Sequence, residues 1–336
     1  MFPKPRHGAP RLDWAVFDGN RIILQVQSEN SELAIKTTVK LIKALPGFEV
    51  AQSVCCIEQT GIYCAHLLST LYKIHLPICG AARRLESSLQ IKKAGGLQRG
   101  KSDAIDSVRI AEYGYRFRDK MRLWQPPRRV VQQFGALSVL RQRLILMRQQ
   151  LQQPLTEQKD FVDSALQKQL IKTCQASLKA LTADLEKADE QIDELIQNDP
   201  RLKELFDWVT SIPGVGTTTA TELLIATDEF KSIDDPKKLA CHAGVAPFEH
   251  RSGSSIRGRT SVSRHAHKRL KSLFHLGAMS AIRVRGEMQD YYNRKLAEGK
   301  NRMVVINAIR NKLIHRICSV VRRGQKYDKN YLPILV

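Results

Sequence analysis

Asp103 and Asp106, three residues apart in GKSDAID, are spaced for metal chemistry. At i and i+3 on a helix they share one face. Glu58, in CIEQTGIY, follows the short apolar run VAQSVCCI and stands at the end of an expected strand. A carboxylate from a strand end can join such a pair and bind a hard divalent cation through oxygen. Two such cations about 4 Å apart can clamp the attacking and leaving oxygens of a phosphodiester. The same segment also reads as a capped helix start, because Ser102 and Asp103 are both good N-cap residues.

A second constellation lies in HRSGSSIRGRTS, residues 250–261. Composition makes this stretch a loop. It sets hydroxyl nucleophiles among guanidiniums: a serine oxygen can form a covalent intermediate, and arginines can stabilise charge on a phosphoryl group in transfer. The candidates for phosphate contact here are Arg251, Arg257 and Arg259, with Lys268 and Arg269 on the basic helix that follows. Upstream, SIPGVGTTTATELLIA has the form of a helix–hairpin–helix. Gly214 and Gly216 would let backbone amides approach a phosphate at a helix N-terminus. A tight turn between packed helices is the plainer reading of the same residues.

The elements that must position these residues are legible in outline. LDWAVFDGNRIILQVQ, residues 12–27, alternates around an Asp-Gly turn and predicts a β-hairpin. Helices are expected over 31–45, 61–72 and 103–118, with strands over EVAQSVCCIE and HLPICG. Strands alternating with helices imply an α/β domain. Trp124-Gln-Pro-Pro127 breaks the pattern. From about 128 to 198 helix formers dominate. Leu178, Leu181, Leu185, Ala188, Ile192 and Leu195 form an a/d seam, and Leu137, Leu144 and Leu151 step by sevens, with Pro154 dividing two helices. This reads as a helical hairpin or coiled coil that spaces domains or dimerises them, or as a bundle with no partner. The expected domains are 1–124, 125–200 and 201–336, in an α/β plus all-α chain.

Composition narrows the function classes. Net charge is +21, which points to a polyanion partner. Between Arg251 and Arg323 there are 18 Lys and Arg against 3 Asp and Glu, a net of +15. So one-sided an excess suits a phosphate-contacting surface. Aromatics are only 6%, which argues against binding single strands by base stacking. The seven cysteines form no CxxC pair and read as reduced core residues of a cytosolic protein. No run is long enough to span a membrane, and the basic N-terminus MFPKPRHGAPRLDW lacks the apolar core of a signal peptide.

Taken in order, IEQTGIY, LQRGKSDAIDSVRIAEY, LWQPP, the helical middle, SIPGVG and KKLACHAGVAPFEHRSG resemble the insertion sequence 110 family of transposases and the related pilin-gene inverting recombinases. The resemblance covers nearly the whole chain. It implies a RuvC/RNase H-like N-terminal domain that holds Mg²⁺ with an Asp-Glu-Asp-Asp set, a helical spacer, and a C-terminal domain whose serine attacks DNA. It implies cytoplasmic action on double-stranded DNA as a homodimer or homotetramer. It also implies a structured guide RNA, and one subunit's serine completing another's acidic site.

By this resemblance Glu58 matches the family's Glu, Asp103 and Asp106 its final Asp pair, and Ser252 its nucleophile. Ser254, Ser255 and Ser261 are rivals for that role. The departure is the first Asp: Arg6 falls about where it should stand, leaving Asp13 or Asp18 as a substitute, or no fourth carboxylate and a crippled metal site. The expected function is therefore a transposase or recombinase working through a serine–phosphate intermediate. Two other readings remain: a non-catalytic nucleic-acid-binding remnant, and a RuvC-like nuclease in which water attacks.

Overall fold

Burial alternates along the second strand of the first hairpin, so that one face is covered and the other exposed. The computed structural model describes residues 11–58, 61–80, 102–121, 123–158, 161–252, 256–262 and 266–329. Strands β1 (Arg11–Phe17) and β2 (Ile22–Glu29) pair antiparallel, with Asp13 opposite Gln27 and Trp14 opposite Val26. The turn between them is closed by Asp18, whose carboxylate accepts the N–H groups of Arg21 at 2.7 Å and Asn20 at 2.8 Å. Those two bonds hold the Asp18 carboxyl below the usual carboxylate range.

Helix α1 (Glu32–Lys43) starts at the Ser31 cap and ends before Pro46-Gly47. It packs with α2 (Ala65–Lys73) around Ile35, Val39, Leu67 and Leu71, where Leu12 and Trp14 of β1 join them. The strand expected over EVAQSVCCIE shortens to β3 (Cys55–Ile57). Val50–Gln52 turns as a 3₁₀ segment instead, because the Ser53 hydroxyl donates to the Glu49 carbonyl at 2.6 Å and draws the chain into a turn. Strand β4 (Ile78–Gly80) lies parallel to β3. Helix α3 (Asp103–Arg116) packs against β1 and β3, and Tyr115 meets Phe17 edge-on at 5.3 Å. Among the described residues the strands pair only as two-stranded sheets, so the larger sheet of a RuvC-like domain is not assembled among them.

The chain divides into two compact units, residues 1–126 and 127–336. Helices α4 (Arg129–Glu157) and α5 (Ser164–Asn198) open the second unit as a hairpin of two long helices. Leu144, Leu185 and Ala188 are buried between them. Pro154 does not divide the helices; it lies inside the last turn and a half of α4, and the turn comes after Glu157. A proline there costs a single backbone bond near an end that is about to fray.

Helices α6 (Pro200–Thr210), α7 (Thr217–Thr227), α8 (Pro236–His242), α9 (Lys268–Ala281), α10 (Glu287–Ala297) and α11 (Arg302–Arg323) complete the unit. Leu205, Leu223, Leu239, Phe274, Ile309 and Leu313 form its centre, and Phe134 of α4 is buried with them.

One ion cluster ties three of its segments. Arg128, at the entry to α4, makes a bidentate pair with Asp199 at 2.8 Å and also bonds Glu229, whose side chain is fully buried. Lys231 adds a second cation to Glu229 at 2.9 Å. Asp228, Glu229 and Phe230 all take positive φ, an uncommon left-handed run that these bonds help to hold.

Candidate functional site

The acidic residues singled out in the sequence fall in the first unit. Asp13 sits on the face of β1 shared with Gln27, which donates to its carboxylate at 3.2 Å. Glu58 follows the last residue of β3 and is exposed. Asp103 and Asp106 form the first turn of α3, and the Ser102 hydroxyl caps that turn by accepting the Ile105 N–H. Asp106 is paired with Arg109 at 3.2 Å.

All of these carboxylates, with Asp18, line one cleft of about 1550 Å³. They share the cleft without converging in it. Among the described residues no three His, Cys, Asp or Glu side chains gather as a metal-ligand group. The expectation that Glu58, Asp103 and Asp106 meet as one ligand set is therefore not met in this conformation. Like charges repel when no cation lies between them, and Asp106 already has a guanidinium partner. The donor chemistry, carboxylate oxygen throughout, suits a hard cation. The carboxylates stand apart in this conformation, and a bound cation would have to draw them together.

The cysteines of this unit are thiols not joined in disulfides. Burial pushes the Cys55 thiol up to about 12, and a hydrogen bond with Cys79 pushes Cys56 up as well. Thiols so disposed are core groups with little thiolate character.

The serine-rich segment is not a loop. β5 (Pro247–Ser252) and β6 (Ile256–Val262) pair antiparallel, with Arg251 opposite Arg257 and Ser252 opposite Ile256. Phe248, Ile256 and Val262 supply strand-forming residues that the Ser, Gly and Arg content obscured. Ser252 is the last residue of β5, at the hairpin's tip. Arg6, Ser254 and Ser255 lie outside the described residues. For Arg251, Ser252, Arg257, Arg259 and Ser261 only the backbone is described.

The base of the hairpin is firmly built. Gly244 has φ +64° and packs so closely on Ala266 that a side chain would lie 2.5 Å from its Cβ. The His267 N–H donates to the His242 carbonyl at 2.8 Å, which ties the two ends of the segment together. His267 also caps α9 by accepting the Leu270 N–H. Asn307 of α11 donates to the Val245 carbonyl at 2.9 Å.

The glycines of SIPGVG separate into two roles. Gly214 has φ +91°, and a Cβ there would lie 2.6 Å from the Gly277 carbonyl oxygen of α9. That close approach serves helix packing. Gly216, at the N-cap of α7, has open space around it and is the one whose backbone a ligand can reach. Lys268 is exposed. Arg269 is held by Glu222, a mostly buried carboxylate 3.0 Å away. That pair neutralises part of the basic face, which the sequence count could not register.

Comparison with known proteins adds a decisive observation. A family model described as "Transposase IS116/IS110/IS902 family" matches residues 207–293, and an IS110-type DEDD model described as "Transposase" matches residues 14–160. The chain belongs to the IS110 family of transposases.

Its similarity to the pilin gene-inverting protein of Moraxella bovis is 28% identity over 232 residues, 69% of each chain. The pilin gene-inverting protein of Moraxella lacunata matches to the same extent. An uncharacterized 43.6 kDa protein of the insertion element IS110 from Streptomyces coelicolor is 29% identical over 153 residues, 46% of this chain and 36% of that one. Membership places the chain among DNA transposases and recombinases. The DEDD match starts at Trp14, one residue after Asp13, so the N-terminal departure seen in the sequence falls before it. Among the described residues no helix is long and apolar enough to cross a membrane.

Proposed function

We propose that this protein cleaves and rejoins DNA through a covalent ester on Ser252. The observation that carries the reading is the presence of both family domains in order on one chain, one with an acidic cleft and the other with a serine at a hairpin tip. In the step envisaged, the Ser252 oxygen bonds to phosphorus as the phosphorus–oxygen bond to one sugar breaks. That sugar leaves as the free hydroxyl and takes the serine proton. Attack by a sugar hydroxyl then reverses the step on the recombinant strand, so the number of phosphodiester bonds is conserved and no external energy source is required. Arg251, Arg257 and Arg259 would hold the phosphate oxygens.

The acidic cleft belongs to the same reading. Glu58, Asp103 and Asp106 are the residues proposed to hold Mg²⁺, whose role when bound would be to offset charge on the phosphate. Asp13 is a better fourth carboxylate than Asp18, because Asp18 is consumed in closing its own turn. Drawing the carboxylates together completes a RuvC-like arrangement. The partners proposed are double-stranded DNA, a structured guide RNA and further copies of the chain in a dimer or tetramer. The exposed apolar residues of α4, Val139, Leu140, Leu146 and Met147, support the last of these.

The remnant reading retains one specific support, the unmatched N-terminus before Trp14. Incubation with supercoiled DNA carrying the element's ends, followed by denaturing electrophoresis, separates the two. Wild type is expected to yield a protein–DNA adduct that survives denaturation, and Ser252→Ala none. Asp103→Asn is expected to lose the adduct while keeping DNA affinity within about twofold, the ordinary scale of an exposed substitution. Binding without any adduct from wild type favours the remnant.

A further inference from the structure

Arg310 of α11 is 7% exposed, and no carboxylate pairs with it among the described residues. Its Nε has no hydrogen-bond partner, and among the described residues its one side-chain hydrogen bond is to Nδ1 of His275 on α9. Burial pulls the arginine down from its usual value, and no carboxylate among the described residues counters that. Neither α9 nor α11 contains an Asp or a Glu. Three other cations of α11 find partners elsewhere: Lys312 and Arg316 pair with Glu287 of α10, and Arg322 bonds the Asp234 carbonyl. A buried cation with no counter-charge is destabilising, and it persists where something else supplies the anion.

The position of Arg310 says where that anion comes from. Asn307, which holds the Val245 carbonyl at the foot of the β5–β6 hairpin, is one turn before Arg310 on α11. Lys271, whose stem lies against Gly244 at the same foot, is one turn before His275 on α9. Lys271 has no carboxylate partner among the described residues either. Asn307 and the Lys271 stem thus reach the stretch that leads into β5, and Arg310 lies one turn along α11 from Asn307, against His275. The neutral His275 ring accepts from Arg310 in the absence of any anion, and burial followed by the guanidinium's field holds it below its usual range.

We propose that Arg310 and Lys271 form a phosphate-binding site at the foot of the serine hairpin, which takes a backbone phosphodiester of the DNA strand presented to that hairpin. The phosphate replaces His275 as the partner of the Arg310 guanidinium and supplies the counter-charge missing among the described residues. A planar guanidinium matches two phosphate oxygens, a fit that lysine cannot reproduce. The site rests on the reading of β5–β6 as the element that engages DNA.

The experiment measures binding of the full chain to a random-sequence DNA duplex across a salt series, in a Ser252→Ala background where no covalent step intervenes. Arg310→Met is expected to weaken binding roughly tenfold and to lower the log–log salt slope by about 0.9, one phosphate's share. Its melting temperature should equal or exceed that of the parent. A parental slope in Arg310→Met overturns the proposal, as does a lower melting temperature with unchanged affinity, since either makes the arginine a packing group. If Arg310→Met does not fold, Arg310→Lys decides: the parental slope with weaker affinity supports the site, and parental affinity overturns it. Failure of the underlying reading looks different. Binding would then ignore Arg251→Ala, Arg257→Ala and Arg259→Ala while still responding to Arg310→Met.

Discussion

Arg128 carries more of the second unit's integrity than its half-exposed position suggests. Removing it strands Asp199 and the fully buried Glu229, and Lys231 can offset only one of the two. Leaving a buried charge unpaired costs about 3 kcal/mol or more. Arg128→Met is therefore expected to lower the stability of residues 127–336 by about that amount in urea denaturation. The pH dependence has a definite sign. The Arg128 bond holds Asp199 below its usual 3.8. For Glu229 burial alone would raise the carboxyl, but the bonds from Arg128 and Lys231 outweigh it and hold it below 4.5. Both folded values lie under the unfolded ones, so the stabilisation is full above the usual carboxylate range and is lost as pH falls through it. Below that range the variant and the parent should approach each other in stability. A gap that stays constant through acid pH would show that the cluster acts by packing rather than charge.

At the scale of elements, the α4–α5 hairpin shows a seam on one side and an unfilled stripe on the other. Leu144, Leu185 and Ala188 bury the seam, and Leu181 and Ile145 flank it. Val139 with Leu146, and Leu140 with Met147, repeat at seven residues on the exposed side of α4. A second helical surface placed there would bury them, which is why they bear on the proposed oligomer. The double substitution Leu140→Glu and Met147→Glu is expected to shift the mass measured by light scattering toward the single chain while leaving helical circular dichroism unchanged. An unchanged mass would assign the stripe to some other use. The basic helices behave differently from a solvated face: α9 and α11 bury Leu270, Phe274, Ile309 and Leu313 in the same core. Removing residues beyond 251 would dismantle that core, so DNA contacts there are better tested by single substitutions such as Arg310→Met.

For the molecule as a whole, the acidic cleft and the serine hairpin lie in separate compact units. A chain so divided can offer its serine to another copy's carboxylates. If it does, mixing Ser252→Ala with Asp106→Ala subunits should restore adduct formation to about a quarter of the wild-type level, the share expected when mixed dimers form at random and one composite site of two is intact. Recovery indistinguishable from zero, with mixed dimers confirmed by mass, would place both halves of the site on one chain.

Local sequence patterns made the family and most of the elements legible. Local signals settled the first hairpin, the Ser31 and Ser102 caps and the α5 seam from Leu178 to Leu195, because alternation, capping and heptad spacing are written within a few residues. The acidic residues were legible as a set, and the motifs that carry them led to the family that the comparisons support. Which charges are spent depends on contacts made across the fold. The tertiary structure committed Arg269 to Glu222, gave Arg128 to Asp199 and Glu229, and left Arg310 buried beside His275. It also turned an apparent Ser-Gly-Arg loop into a β-hairpin and made Gly214 a packing glycine. The physical reason is common to all of these. Pairing and close approach are made between residues distant in the chain, as Arg128 and Glu229 are, and no spacing rule within a segment records what a side chain will meet across the core.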